Sequence, residues 1–142
     1  MLGAAALTAA SVSAAGQRGD TRAKPADDDD KPRLTLKAQP TVSVSPARIV
    51  LTAELTGGAN DYRDYYCPTV VWAWGDETES ESTFDCEPYV AGKSDIKRRF
   101  TVEHVFRRPG AQRVIFRLKR NDKVLATAQV TIQVTPGAAD AN

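Results

Sequence analysis

The segment Val70-Val71-Trp72-Ala73-Trp74-Gly75-Asp76-Glu77-Thr78 carries an alternation and a turn back to back. Val70, Trp72 and Trp74 fall on one face of an extended chain, because successive side chains of a strand point to opposite sides. Gly75-Asp76 then signals a turn: glycine reaches backbone angles closed to other residues, and an Asp carboxylate bonds nearby backbone N–H groups. The period of two runs outward from here in both directions. Ile49, Leu51, Ala53 and Leu55 alternate with Val50, Thr52 and Glu54. Phe100, Val102 and His104 alternate with Thr101, Glu103 and Val105. Val114, Phe116 and Leu118 alternate with Arg113, Ile115, Arg117 and Lys119, and Ala126, Ala128, Val130, Ile132 and Val134 with Thr127, Gln129, Thr131 and Gln133. Shorter runs are Leu34/Leu36 and Val42/Val44, the second stopping at Pro46.

Turn signals separate these runs: Ser45-Pro46, Gly57-Gly58-Ala59-Asn60, Gly75-Asp76, Arg108-Pro109-Gly110 and Asn121-Asp122. No longer stretch holds a helical period with caps. About seven short strands over roughly a hundred residues predict an all-β protein, an immunoglobulin-like β-sandwich, with an open barrel as the structural alternative. There is no internal repeat.

The 142 residues suffice for one ordinary domain, and 42% hydrophobic with 26% charged residues is a globular balance. Nineteen Lys+Arg against eighteen Asp+Glu leave a net charge of +1, which argues against a nucleic-acid partner. No apolar run reaches the ~18 residues of a membrane-spanning helix. One His and two Cys fall short of the usual four-ligand zinc site.

Two patches read together carry a resemblance. The first is Trp72-Ala73-Trp74-Gly75-Asp76-Glu77-Thr78. The second is His104-Val105-Phe106-Arg107-Arg108-Pro109-Gly110, feeding the Val114/Phe116/Leu118 run. Over about residues 40–134 the chain resembles the polycystic kidney disease (PKD) domain family, whose members carry Trp-x-Phe-Gly-Asp-Gly-Thr and later His-x-Tyr/Phe-x-x-x-Gly before a Val-x-Leu-x-Val strand. Trp72, Trp74, Gly75, Asp76 and Thr78 fall on the first motif and His104, Phe106 and Gly110 on the second. The resemblance implies a sandwich with Trp72 buried between its sheets and His104 close to the aromatic motif. It also implies a non-catalytic module of surface proteins and secreted enzymes. Glu77 stands where the family has its second Gly, so the turn must do without a residue free at positive φ. Glu79–Arg99 is long, which predicts an extra loop. A lone His beside Phe100 and Val102, with no partnered nucleophile, reads as structural and not as a catalytic base.

Met1–Ala15 is small and apolar, with Ser13-Ala14-Ala15 as a cleavage site. It reads as a signal peptide lacking its basic start, or else as an Ala-rich disordered end. Residues 16–32, ending in Asp27-Asp28-Asp29-Asp30-Lys31-Pro32, read as a flexible linker. The domain is expected over 33–135, followed by a disordered tail at 136–142. Cys67 and Cys86 flank the Trp72 strand and its turn; in a chain with an export signal they read as one disulfide, free thiols being the alternative. Such a bridge ties loops at one end of the sandwich.

That end carries Asn60-Asp61-Tyr62-Arg63-Asp64-Tyr65-Tyr66-Cys67. Tyrosine offers large contact area at low rotamer entropy and arginine is enriched at interface hot spots, so Tyr62, Arg63, Tyr65 and Tyr66, joined by Tyr89 across the bridge, form a candidate binding surface. The competing reading packs these rings as a satellite core. Glu77, Glu79, Glu81, Asp85 and Glu87 make an acidic stretch, and Lys93, Lys97, Arg98, Arg99, Arg107 and Arg108 a basic one. The acidic loop with Asp61 and Asp64 offers carboxylate oxygens to Ca²⁺, although the spacing fits no EF-hand loop; no other cofactor is implied. The expected function is a non-catalytic secreted, periplasmic or cell-surface module that binds a protein or a polysaccharide. The second reading is a structural subunit that assembles with itself or with an envelope complex through the acidic and basic stretches. An enzyme would need a phosphate loop, a metal-ligand set or a Ser/His/Asp grouping, and no such signature is found.

Overall fold

A computed structural model of the chain describes residues 30–137. Segment 1–15, read above as a signal peptide or an Ala-rich end, most of the expected linker and residues 138–142 lie outside them. Eight strands follow one another: β1 (Arg33–Gln39), β2 (Val42–Val44), β3 (Ala47–Thr56), β4 (Thr69–Ala73), β5 (Glu79–Ser82), β6 (Arg99–Phe106), β7 (Gly110–Arg120) and β8 (Lys123–Thr135). They form two sheets, β1-β3-β6 and β2-β8-β7-β4-β5. All pairings are antiparallel except that of β2 with β8. This is the immunoglobulin-like sandwich that the alternation predicts.

The alternation and the core coincide. Ile49, Leu51, Ala53 and Leu55 of β3 face Val114, Phe116 and Leu118 of β7, all buried, with Trp72, Phe100, Phe106, Ile132 and Val134 filling the space between the sheets. Burying one Trp removes about 150–250 Å² from water, so Trp72 is among the largest single contributions to the core. The sheets fold this way because each strand has one apolar face, and only stacking two such faces hides both.

Three features differ from the sequence reading. There are eight strands where about seven are expected. The additional one, β5, is exposed at every position (Glu-Ser-Glu-Ser) and joins the sheet through its ladder to β4, so no hydrophobic period announces it. Val42 and Val44 are 60% and 56% exposed, not the buried face of a strand, because they share the outer face with Gln133 and Thr135 of β8. Finally, Glu77 adopts φ 71° itself, so the turn does use a residue at positive φ, and a non-glycine one. The left-handed region costs an L-residue about 1–2 kcal/mol, against about 0.5–1 kcal/mol of extra unfolded-state freedom for Gly. Glu77→Gly is therefore expected to stabilise the domain by about 0.5–1 kcal/mol, read as a rise in the urea midpoint with unchanged slope. At the neighbouring Gly75 (φ 85°), a Cβ would meet the Arg113 backbone oxygen at 2.6 Å, so that position accepts no side chain.

The described fold reaches beyond the 33–135 window at both ends. Pro32 and Gly137 are buried, and the Asp30 carbonyl accepts a bond from Ala59 N–H at 2.7 Å.

Candidate functional site

The two motif patches meet at one end of the sandwich. Trp72 is 5% exposed and stacks on Trp74, ring centroids 5.4 Å apart; Trp74 stacks in turn on His104 at 4.0 Å. The column runs from the core of one sheet to β6 of the other. Trp74 donates its indole N–H to Ser80 Oγ at 3.0 Å, which satisfies a buried donor and ties β5 to the column. Phe106 packs edge-on against both Trp74 and His104. Gly110 opens β7 at φ 122°.

Asp76 closes this end. Its Oδ1 accepts from Thr78 N–H at 3.1 Å and also from the Thr78 hydroxyl, and its Oδ2 lies 3.4 Å from His104 Nε2. Trp74 N–H bonds the Thr78 carbonyl at 3.0 Å, closing the turn. The Asp/Thr/His constellation thus braces a hairpin, with the Thr78 hydroxyl donated to Asp76. Partial burial alone raises the Asp76 pKa, but the bonds from Thr78 and the His104 ring outweigh it and hold the carboxyl below its ordinary 3.8. A depressed folded-state pKa adds stability that is present above the unfolded pKa of ~3.9 and lost as pH falls through the folded one. The stability gap between wild type and Asp76→Asn is therefore expected to be open at pH 5–7 and to narrow below about pH 4. Urea midpoints across that range test it.

The other candidate surface lies where the Cys67–Cys86 disulfide joins the entry of β4 to the loop after β5, with Cα atoms 6.1 Å apart. Arg63–Tyr65 forms a single 3-10 turn. Arg120 Nη2, at the end of β7, donates to the carbonyls of Arg63, Asp64 and Tyr66 at 2.9, 3.1 and 2.7 Å. Tyr66 donates to the Glu87 carbonyl and Tyr89 to the Asp61 carbonyl, both at 2.6 Å. Gly92 N–H donates to Asp61 Oδ2 at 2.7 Å. Arg98 donates to the Leu55 and Gly57 carbonyls and to Asn60 Oδ1. Three loops distant in sequence are thus cross-braced.

The five candidate residues divide. Tyr65 is 2% exposed and belongs to the core, which corrects its place on the expected surface. Burial first, then Tyr62 and Asp64, push its phenol up to about 12. Tyr62 and Tyr66 are half-buried against the core, Tyr62 edge-on to Tyr65 at 4.9 Å and Tyr66 edge-on to Tyr89 at 5.5 Å. Arg63 is exposed and lies over the Tyr89 ring, 5.2 Å from its centroid. A concavity of about 300 Å³ opens between Asp30, Ala59, Asp61, Tyr62, Arg63, Asp64 and Tyr89. The Arg120 and Asp30 contacts escaped the sequence reading, because residues about thirty or more positions away give no local signal of an eventual contact.

The acidic and basic stretches do not pair as blocks. Arg99 binds Glu54 at 3.1 Å, Lys97 sits over the Phe84 and Phe100 rings, and Glu79 lies 3.8 Å from Arg117. Among the described residues no three His, Cys, Asp or Glu side chains are gathered closely enough to hold a metal ion, and no helix is long and apolar enough to cross a membrane.

With fold and site described, similarity to known proteins can be placed. The fold is an immunoglobulin-like β-sandwich of the kind that PKD domains have. Among solved structures, the chain is similar to the PKD domain of an M14-like peptidase from Thermoplasmatales archaeon SCGC AB-540-F20, at 14% identity and TM-score 0.50, covering 75% of this chain and 98% of that one. It also matches the CARDB domain of a Pyrococcus furiosus protein, at 14% identity and TM-score 0.46, covering 76% and 97% of the two chains. No protein-family model matches the sequence, and no curated protein is significantly similar to it.

Proposed function

We propose that this domain is a non-catalytic interaction module acting outside the cytoplasm, and that it engages a protein or a polysaccharide through the braced end carrying Tyr62, Arg63, Tyr66 and Tyr89. The observation that carries the reading is the bracing itself. A disulfide, the Arg120 clamp, and the Tyr66, Tyr89 and Arg98 bonds fix loops that a sandwich core does not need fixed. Holding loops in one conformation before contact removes ordering cost from association, which is how rigid recognition surfaces gain affinity. Exposed Arg63, over the half-buried Tyr89 ring and beside an acidic concavity, offers a planar cation, an aromatic group and carboxylates to one partner. The disulfide, and the reading of the small apolar segment 1–15 as an export signal, support an oxidising location.

The test is capture of native cell-envelope proteins, and of insoluble polysaccharides such as peptidoglycan, chitin and cellulose, by the immobilised domain. Arg63→Ala should weaken capture at least about tenfold, as hot-spot truncations do, with melting temperature little changed; Tyr89→Ala should weaken it as much and also lower the melting temperature, since it removes the bond to Asp61. Capture that both variants retain in full would sink the reading.

A further inference from the structure

The end of the sandwich away from the braced loops holds a second concavity. β6 starts next to Arg98, which bonds the braced loops, and ends at Phe106; β7 starts at Gly110 and ends at the clamp residue Arg120. The β6–β7 connection and the Asp76 turn therefore share the far end. There about 440 Å³ opens between Asp76, Thr78, His104, Arg107, Arg108 and Gln112. That volume falls within the range of small-ligand sites, about 300–1,000 Å³. Asp76, Thr78 and His104 satisfy one another. The other three have groups left over.

Gln112 is the one buried polar residue among those described, 6% exposed. Its side-chain amide donates to the Arg108 carbonyl at 3.1 Å. A carbonyl only accepts, so the NH2 end meets Arg108 and Oε1 is the end left over. No described residue donates to that oxygen. Burying an amide oxygen without a donor is costly, and nearly all such groups in native proteins are paired. Arg107 and Arg108 are exposed, and their guanidinium groups bond no described residue, whereas those of Arg48, Arg98, Arg99, Arg117 and Arg120 do. The backbone beneath them is held: the Ser45 hydroxyl donates to the Arg107 carbonyl at 2.7 Å, and Gln112 to that of Arg108. Two unpaired cations thus stand on a fixed connection beside an unpaired acceptor.

We infer that this concavity binds an acidic sugar unit with a single negative charge, a sugar carboxylate or a sugar sulfate ester. The anionic group goes to Arg107 and Arg108, whose planar N–H forks match paired oxyanion oxygens. A ring hydroxyl donates to Gln112 Oε1, a role that a fully ionised anion has no proton to fill. Two guanidinium groups against the Asp76 carboxylate leave an excess of one positive charge, which suits a singly charged ligand better than a phosphate dianion. A neutral sugar lacks the anion and acetate lacks the donor. The site is remote from Tyr62, Arg63 and Tyr89, so the inference goes beyond the proposed function and is independent of it.

Amide chemical shifts of the full chain, titrated with glucuronate, glucose 6-sulfate, glucose and acetate, provide the test. At least one acidic sugar should saturate in the millimolar range and move the signals of Thr78, Arg107, Arg108 and the Gln112 side-chain NH2; which of the two binds tells carboxylate from sulfate. Glucose and acetate should each bind at least about tenfold more weakly, since each forfeits one set of contacts. The double variant Arg107→Gln, Arg108→Gln should lose at least about tenfold in affinity with an unchanged melting temperature, both side chains being exposed. Gln112→Met, close in volume, should bind the acidic sugar no better than acetate. The inference is overturned by any of four results: no saturable shift with either acidic sugar, equal binding of glucose or acetate, full binding by the arginine variant, or a Gln112→Met protein that still prefers the sugar. Shifts confined to Tyr62, Arg63 and Tyr89 overturn it as well, and support the braced end instead.

Discussion

Replacing Trp72 by Ala is expected to cost about 3–5 kcal/mol, the range for removing a large aromatic from a packed interior. Trp72 stacks on Trp74 and meets Phe116 edge-on at 4.6 Å within the core cluster, so its loss leaves a void in the packed interior. Walls made of β-ladders cannot close over such a void without breaking register. A domain of this size has about 5–15 kcal/mol of total stability, and each kcal/mol moves the melting temperature by about 4–8 °C. The variant should therefore melt roughly 15–30 °C lower. Trp72→Phe, which keeps a ring in the stack, should lose markedly less. A Trp72→Ala melting temperature within a few degrees of wild type would mean that the aromatic column does not organise the core.

The second large effect concerns the disulfide. Converting both Cys67 and Cys86 to Ala is expected to remove about 3 kcal/mol, the loop-closure entropy of a cross-link spanning 19 residues. The β4–β5 ladder of four residue pairs remains, so the sandwich itself should persist with its strand content intact. The loss should concentrate in the loops: amide exchange over residues 83–98 and around Arg63–Tyr66 should accelerate most, because the bridge is what couples them. If the domain binds through this end, the double variant should bind more weakly while still folded at room temperature. An unchanged melting temperature under reducing conditions would show instead that the Arg120 clamp and the tyrosine bonds suffice by themselves.

The legible part of this protein was local. The β3 run Ile49-Val50-Leu51-Thr52-Ala53-Glu54-Leu55 reads as half-buried from its letters, and its inward residues are buried as the alternation implies. Trp72 reads as core from its neighbours, and Cys67 and Cys86 are bridged as the disulfide reading had it, with free thiols the alternative. β5 was not legible, because a strand without an apolar residue is made by the ladder offered to it and not by its own preference. Glu77 sits at positive φ because the bonds of Trp74, Asp76 and Thr78 around it over-determine the turn.

For the candidate site the division is sharper. The tyrosine-rich loop was visible as a composition, but which ring is core and which is surface depends on what lies above it: Tyr65 falls under the Arg63–Tyr65 turn while Arg63 and Tyr89 stay at the rim. By itself the sequence determined an all-β fold and its principal aromatic and pointed to the sandwich and the cross-link over an open barrel and free thiols, since alternation, turn chemistry and cysteine spacing act between near neighbours. Only the tertiary structure decided the Arg120 clamp, the burial of Tyr65 and the outward face of Val42 and Val44. Each of these is set by residues dozens of positions apart that meet only once the sheets have stacked.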